Sequence, residues 1–241
     1  MQEKGTLSVN TENLMPIIKK WLYSDKDIFL RELVSNACDA ISKRDKLAAM
    51  SEAEAPDSYR VEIRANSTEG TLTISDNGLG MTADEVRKYI NQVAFSGAYD
   101  FIEKYESQAD GRDIIGHFGL GFYSAFMVAE KVVIQTLSYR PGAEAVRWES
   151  DGSSEYELSG GSRTAPGTDI ILYIDEDSRE FLEEPRLRSV LNKYCSFLPR
   201  PVFLCGEKEE QINDCSPLWL KKPSECSEEE YKSFYSKVFA D

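Results

Sequence analysis

The sequence has little of what several kinds of functional site require. Its single histidine, His117, makes a histidine-based catalytic triad an unfavourable interpretation. The five cysteines are scattered, odd in number and without a C-x-x-C pair, so neither a disulfide framework nor a zinc site is indicated. No apolar run approaches the roughly 20 residues of a membrane-spanning helix, and the N-terminus has no apolar signal core. A cytoplasmic protein without a membrane partner is therefore expected.

Positive charge is also scarce, because 28 Lys and Arg residues stand against 42 Asp and Glu residues, for a formal net charge of -14. Nucleic-acid backbones and anionic membranes are therefore not expected as partners. A small anionic ligand remains compatible, because a phosphate needs only a local group of backbone N–H donors and a metal ion. The 241 residues, 41% of them hydrophobic, suffice for one large domain or for one domain plus a fragment.

Local patterns predict helices early in the chain and strands mainly later. Ser24, with Asp27 three residues on, resembles a capping box for the second helix, and Thr82 is the expected N-cap of the third. Helices are predicted near 12–23, 25–49, 82–95, 99–107 and 179–198 (the last one broken), and strands near 59–65, 71–75, 131–139, 145–150, 155–159 and 168–174. Few strands are joined by single crossover helices. The predicted fold class is therefore α+β, a two-layer sandwich with a mixed, mostly antiparallel sheet and helices on one face.

The chain is predicted to divide into three parts. Residues 1–205 form the main domain, and residues 206–215, which include the charged stretch GEKEEQ, form a short linker. Residues 216–241 have too little chain to bury their own aromatic side chains, so they are interpreted as the start of a truncated second domain. These aromatic residues are Trp219, Tyr231, Phe234, Tyr235 and Phe239.

The second predicted helix has a polar stripe. Glu32, Asn36 and Asp39 are spaced i, i+4 and i+7, so they share one helix face. Such a stripe is often only the solvated face of an amphipathic helix. In a functional interpretation, the amide oxygen of Asn36 can ligate Mg²⁺, and the carboxylate of Glu32 can orient and deprotonate a water molecule.

The stretch SDNGLGM follows a predicted strand and places Asp76 beside Gly78 and Gly80. One interpretation is a simple turn. In the other, the Asp76 carboxylate accepts a hydrogen bond from a base edge, and the glycines let the backbone approach a ligand closely.

Residues 116–122, GHFGLGF, combine three glycines with the start of a helix, an arrangement that can cradle phosphate groups. The segment is neither a Walker A loop nor a complete G-x-G-x-x-G motif. No catalytic role is assigned to His117. Thr168 opens a late predicted strand, where a threonine is often purely structural.

The order of these motifs resembles the GHKL ATPase superfamily: E-x-x-x-N on a helix, then D-x-G-x-G, G-x-x-G-x-G and G-T. The strings LYSDKDIFLRELVSNACDA, DNGLGMT, IGHFGLGFYSAFMVA and KYCSFLP are similar to the N-terminal domain of the ninety-kilodalton heat-shock chaperone family, over nearly the whole chain. The resemblance implies the Bergerat ATP-binding fold in 1–205. It also implies an ATPase module of a homodimeric stress-response chaperone that binds ATP or ADP with Mg²⁺ and assists unfolded client proteins.

The resemblance also implies roles for individual positions. Glu32 matches the acid that activates the hydrolytic water, Asn36 the Mg²⁺ ligand that also touches phosphate, and Asp76 the acid that reads the adenine amino group. Residues 91–121 match a mobile lid over bound ATP. The other implied nucleotide-binding residues are Asp39, Gly80, Met81, Asn91, Gly116, His117, Phe118, Gly119, Leu120, Gly121, Phe122 and Thr168.

Three positions depart from the family's pattern: Phe95 stands where lysine is common, Tyr89 where asparagine is usual, and His117 where glutamine is usual. The loss of the lysine removes a cation near the phosphates and leaves the adenine pocket unchanged. The middle-domain arginine that reaches the γ-phosphate would lie beyond Asp241, so weak or absent turnover is expected of this fragment. Two alternatives stay open: a nucleotide-binding module with negligible turnover, and the ATPase domain of another superfamily member, such as a topoisomerase or a kinase.

Overall fold

The computed structural model describes residues 25–91, 115, 121–153 and 155–239. The predicted helices near 12–23 and 99–107 lie outside the described residues. The α-helices are α1 (Ile28–Ala49), α2 (Ala83–Tyr89), α3 (Glu184–Cys195) and α4 (Glu228–Val238), and short 3-10 helices span Gly121–Met127, Glu176–Leu182, Leu218–Leu220 and Pro223–Glu225. The strands are β1 (Val61–Asn66), β2 (Thr71–Asp76), β3 (Ala129–Leu137), β4 (Val146–Ser150), β5 (Glu157–Gly160), β6 (Gly167–Ile174), β7 (Val202–Cys205) and β8 (Glu209–Gln211).

The described strands form one eight-stranded sheet in the order β5-β4-β3-β6-β2-β1-β7-β8. Neighbouring strands are antiparallel except for β1 and β7, which are parallel. The prediction of an α+β fold with a mixed, mostly antiparallel sheet is confirmed. Among the described residues, no helix combines the length and apolarity needed to cross a membrane.

The two faces of the sheet differ in polarity, and helix α1 packs on the apolar face. This inner face carries fully buried aliphatic side chains, namely Ile63, Leu72, Ile74, Ile134 and Leu172. The opposite face carries charge pairs between neighbours on one strand, such as Arg64 with Glu62. Burial of the apolar face is the main stabilising term of the two-layer arrangement.

Helix α1 begins three residues later than the predicted residue 25, so Ser24, which lies outside the described residues, is not its N-cap. The N-cap is Asp27, whose backbone is helical and whose side chain makes no capping hydrogen bond. The Asp27 carboxylate instead pairs with the Arg186 guanidinium of α3. Asp25 supports the turn before the helix, because its carboxylate accepts the backbone N–H of Asp27 at 3.0 Å. A tertiary ion pair therefore replaces the expected local cap.

Helix α2 begins as predicted. The Thr82 hydroxyl accepts the Glu85 backbone N–H at 3.3 Å, and the Glu85 carboxylate accepts the Thr82 N–H at 2.9 Å. This reciprocal pair is a capping box, a stronger cap than the single N-cap residue that was expected. The predicted broken helix near 179–198 is also confirmed. It consists of a 3-10 turn and α3, with Pro185 in the first turn of α3.

Strands β7 and β8 were not predicted from the sequence. The predicted linker 206–215 contains β8, and Ile212 and Asn213 behind it are buried. The Asn213 amide oxygen accepts the Val202 backbone N–H at 2.8 Å, which fixes this segment to β7. Further along, the Trp219 ring packs on Phe197 with 4.8 Å between ring centroids. The division of the chain into 1–205, 206–215 and 216–241 stays a prediction.

Candidate functional site

The loop after β2 is held between α1 and β3 by its glycines. A Cβ atom on Gly78 would lie 2.5 Å from the carbonyl carbon of Ala40 in α1. Gly80 has a φ of +60°, and a Cβ atom there would lie 1.8 Å from the carbonyl oxygen of Leu137. Both positions therefore exclude a side chain. Close approach to a ligand was the predicted reason for these glycines, whereas the structure shows close approach to neighbouring protein backbone.

Asp76 ends β2 with its carboxylate inside the protein, where only 7% of the residue is exposed. Its Oδ1 atom accepts the Gly78 backbone N–H at 2.8 Å. Burial raises the pKa of Asp76 from 3.8 to about 7, against the opposing effects of the Gly78 hydrogen bond and the Arg163 charge. The Arg163 guanidinium also donates to the Asp76 backbone carbonyl at 2.7 Å. A simple surface turn would not bury an acid in this way.

Asp76 belongs to a polar row that crosses three strands of the sheet. It pairs in register with Thr168 of β6, which in turn pairs with Thr136 of β3. The hydroxyl oxygens of Thr136 and Thr168 lie 3.0 Å apart. The Met81 backbone N–H donates to the Thr136 hydroxyl at 2.9 Å, so the row also fixes the end of the β2 loop. Asp76, Thr168 and Met81 were predicted as site residues from the sequence, whereas Thr136 was not.

The polar stripe of α1 faces other parts of the chain. A Cβ atom on Gly121 would lie 2.7 Å from Glu32 Oε2 and 3.6 Å from Asn36 Nδ2, so this glycine rests against both side chains. Asp39 is buried, and its carboxylate accepts the Ile115 backbone N–H at 2.9 Å. The stripe is therefore not an ordinary solvated helix face, which was the alternative interpretation.

Glu32 keeps part of its carboxylate accessible, with 23% of the side chain exposed. The neighbouring Arg31 donates from Nε to Glu32 Oε1 at 3.0 Å. Oε2, the atom nearest Gly121, is the other carboxylate oxygen. The Nε hydrogen bond of Arg31 therefore goes to Oε1, and Oε2 is the oxygen that a water molecule next to Gly121 would meet.

The remaining predicted residues are placed in part. Phe122 is buried, with its ring 5.6 Å from that of Trp148, so its side chain belongs to the core. Asn91 accepts the Trp148 indole N–H at 2.9 Å. The helix expected after the glycine-rich segment is a 3-10 helix, Gly121–Met127. Outside the described residues lie Gly116, His117, Phe118, Gly119, Leu120 and Phe95.

Within the described ranges, no group of three or more His, Cys, Asp or Glu side chains could hold a metal ion. Asn36 offers one neutral oxygen donor beside the Glu32 carboxylate. This donor set fits a hard cation that takes most of its ligands from water and from a bound anion, as Mg²⁺ commonly does.

The buried acid leads to a prediction on stability. The folded-state pKa of Asp76 is raised to about 7, so between pH 3.8 and about 7 the unfolded chain releases a proton that the folded chain retains. Wild-type stability therefore falls through this group as the pH rises, whereas an asparagine does not titrate. From about pH 5 to about pH 8, the unfolding free energy of Asp76→Asn should gain about 2 to 3 kcal/mol relative to wild type. Urea denaturation of both proteins measures the difference, and a value independent of pH would contradict the raised pKa.

Comparison with known proteins identifies the family. Residues 24–157 match the family model described as histidine kinase-, DNA gyrase B-, and HSP90-like ATPase. The chain is 53% identical over 98% of its length to the chaperone protein HtpG of Bacteroides fragilis, and 47% identical over 99% of its length to that of Porphyromonas gingivalis. It is 38% identical over 98% of its length to the mitochondrial heat shock protein 75 kDa of Bos taurus. It spans 36%, 36% and 33% of these three relatives. The chain therefore belongs to the histidine kinase-, DNA gyrase B- and HSP90-like ATPase family.

Proposed function

We propose that this chain is the ATP-binding and ATP-hydrolysing N-terminal module of a dimeric molecular chaperone. The observation that carries the proposal is the buried Asp76 carboxylate, which lies in a polar row within an otherwise apolar layer. Keeping a carboxylate buried costs stability, so a ligand that hydrogen-bonds to it is the simplest explanation. Family membership supports an adenine nucleotide as that ligand.

In this proposal, the base binds at the polar row. The Asp76 carboxylate accepts a hydrogen bond from the exocyclic amino group of adenine. Thr168 lies beside Asp76 on the same face of the sheet. Gly80 and Met81 form the wall of the pocket, because Gly80 is held against Leu137 and Met81 against Thr136. Buried hydrogen-bonding groups select strongly for a ligand that satisfies them.

The phosphates bind next to α1 in the same proposal. Gly121, near the end of the glycine-rich segment 116–122, lies against Glu32 and Asn36, which supports phosphate binding next to the polar stripe. The Asn36 amide oxygen would hold Mg²⁺. When bound, the ion would supply positive charge that neutralises the phosphates. A chain of net charge -14 provides little positive charge of its own. Asp39 orders the entry to this segment through Ile115, and Asn91 and Phe122 shape its surroundings through Trp148.

Glu32 acts as the general base. Its Oε2 atom lies close to Gly121, where the phosphate end of the nucleotide is expected. Its partial exposure admits a water molecule, and Arg31 fixes the orientation of the carboxylate. The residue therefore orients the attacking water and accepts its proton.

The remaining parts of the proposal concern a full-length chaperone; the chain spans about a third of the length of its curated relatives. The partners are unfolded or partly folded client proteins and a second copy of the full-length chain, in the cytoplasm. Nucleic acids are not proposed as partners. A second candidate function is nucleotide binding with negligible turnover by this chain alone, and the short span favours it for the isolated module. Turnover of this chain, compared with that of the full-length protein, separates the two.

The metal role of Asn36 provides the test of this proposal. ADP is titrated into wild type and Asn36→Ala, each with Mg²⁺ and with excess chelator. Removal of Mg²⁺ should weaken wild-type binding by at least about tenfold, because few cationic groups replace the ion. The Asn36→Ala variant should bind weakly and equally under both conditions. Asn192→Ala, on the exposed face of α3, is the matched control and should behave as wild type.

If Asn36→Ala keeps the full dependence on Mg²⁺, Asn36 is not the metal ligand. If the wild-type chain binds no ADP under either condition, the proposed function itself is wrong.

A further inference from the structure

Thr136 is a polar residue in an apolar layer, and nothing in the sequence pattern explains it. It lies near the end of β3, an interior strand of the sheet, and is completely buried. Three parts of the candidate base site meet at its hydroxyl: the Met81 backbone N–H at 2.9 Å, the Gly167 carbonyl at 3.1 Å and the Thr168 hydroxyl at 3.0 Å. We propose that Thr136 is a positioning residue that fixes the Thr168 hydroxyl as a hydrogen-bond acceptor toward the base.

The direction of each hydrogen bond follows from donor and acceptor accounting. A threonine hydroxyl has one proton to donate and two lone pairs to accept with. The Met81 N–H can only donate, so it occupies one lone pair of Thr136. The Gly167 carbonyl can only accept, so it takes the Thr136 proton. The Thr168 hydroxyl therefore donates its proton to the second lone pair of Thr136. In this arrangement every hydrogen-bonding capacity of the Thr136 hydroxyl is used.

The consequence concerns ligand selection, and it rests on the proposed ATP-binding function. Thr168 gives its proton to Thr136, so it has only lone pairs left for a ligand. The neighbouring Asp76 carboxylate, when ionised, also only accepts. Two adjacent acceptors favour a ligand edge that donates, such as the amino group of adenine. They disfavour the 6-oxo group of hypoxanthine, which is itself an acceptor. Thr136 therefore contributes to base selection without touching the base.

The test compares ADP with inosine diphosphate (IDP), which differs at this group of the base. Wild type should bind ADP at least about a hundredfold more tightly than IDP, as expected for a site with buried polar groups. In Thr136→Val, Thr168 regains a free proton and Met81 loses its acceptor. ADP affinity should fall at least about tenfold, and the ADP-to-IDP ratio should shrink at least about fivefold.

Three further variants separate positioning from stability. Thr136→Ser keeps the hydroxyl, so its ratio should stay within about twofold of wild type. Thr136→Ala removes the hydroxyl without placing a methyl group against Met81, and it should reproduce the reduced ratio. Thr73→Val is the matched control on β2, because Thr73 is offset by one residue from the inward-facing Leu72 and Ile74. Thermal unfolding is recorded for every variant.

The outcomes distinguish this inference from the proposed function. If wild type does not bind ADP, the proposed function fails. If wild type selects ADP and both hydroxyl-free variants keep the wild-type ratio, only the role of Thr136 is overturned. If both hydroxyl-free variants fail to fold while Thr136→Ser folds, the hydroxyl serves stability alone, and the inference is equally overturned.

Discussion

Replacement of Glu32 by alanine is expected to abolish ATP hydrolysis in the full-length protein and to leave ATP binding intact. The Glu32 carboxylate lies against Gly121, where the phosphate end of the nucleotide is proposed, and part of it reaches solvent. In the proposed mechanism it contacts the water rather than the nucleotide. Loss of a general base lowers the rate by about a hundredfold to ten-thousandfold. Steady-state turnover and ATP titration of the same protein measure the two effects separately.

Glu69→Ala is the matched control for this experiment, because Glu69 is exposed in the turn between β1 and β2. It should keep wild-type turnover. If Glu32→Ala instead fails to bind ATP, Glu32 is a binding or structural residue, and the proposed mechanism of water activation is wrong.

Replacement of Asp76 by asparagine is expected to remove most of the ADP affinity. The asparagine keeps an oxygen for the Gly78 N–H, but its amide group has only one acceptor oxygen in a buried site. The adenine amino group then has no free acceptor oxygen to donate to. Loss of a buried charged hydrogen bond costs about 1.5 to 3 kcal/mol or more. Affinity should therefore fall at least about tenfold and up to about a hundredfold or more. Isothermal titration calorimetry with ADP measures the loss.

Asp57→Asn provides the control, because Asp57 is an exposed aspartate outside the candidate site. Urea denaturation of the Asp76→Asn variant, already proposed for the pH dependence of stability, shows without any ligand whether this variant folds. A folded Asp76→Asn protein with affinity within about twofold of wild type would contradict the role of Asp76 in base recognition.

Periodic apolar patterns made most of the fold predictable from the sequence. The long apolar face of α1 and the alternation in β1 to β4 and β6 reflect burial on one side, which is what periodicity reports. Thr82 was predictable because its cap is formed by a residue three positions away. The start of α1 was not, because Asp27 pairs with Arg186, far away along the chain. Strand β8 was not predicted for a related reason. It is short, acidic and exposed, and only its backbone pairing with β7 makes it a strand.

The candidate site was predictable where motif order carried the information, and the structure brings several of those residues together. Asp76 and Thr168 are neighbours through strand register, and Gly121 meets Glu32 and Asn36 through packing. Thr136 could not be found in this way, because a threonine inside a strand pattern is ordinary. The proposed role of Thr136 follows only from the strand register, which places it beside Thr168. A search for polar residues at strand positions expected to face inward would have been the available signal.

The most direct test of the account is a crystal structure of this chain with ADP and Mg²⁺. We expect the adenine amino group within hydrogen-bonding distance of the Asp76 carboxylate, and Mg²⁺ bound to the Asn36 amide oxygen beside the phosphates. Nucleotide bound elsewhere, or bound here with its base away from Asp76, would contradict it.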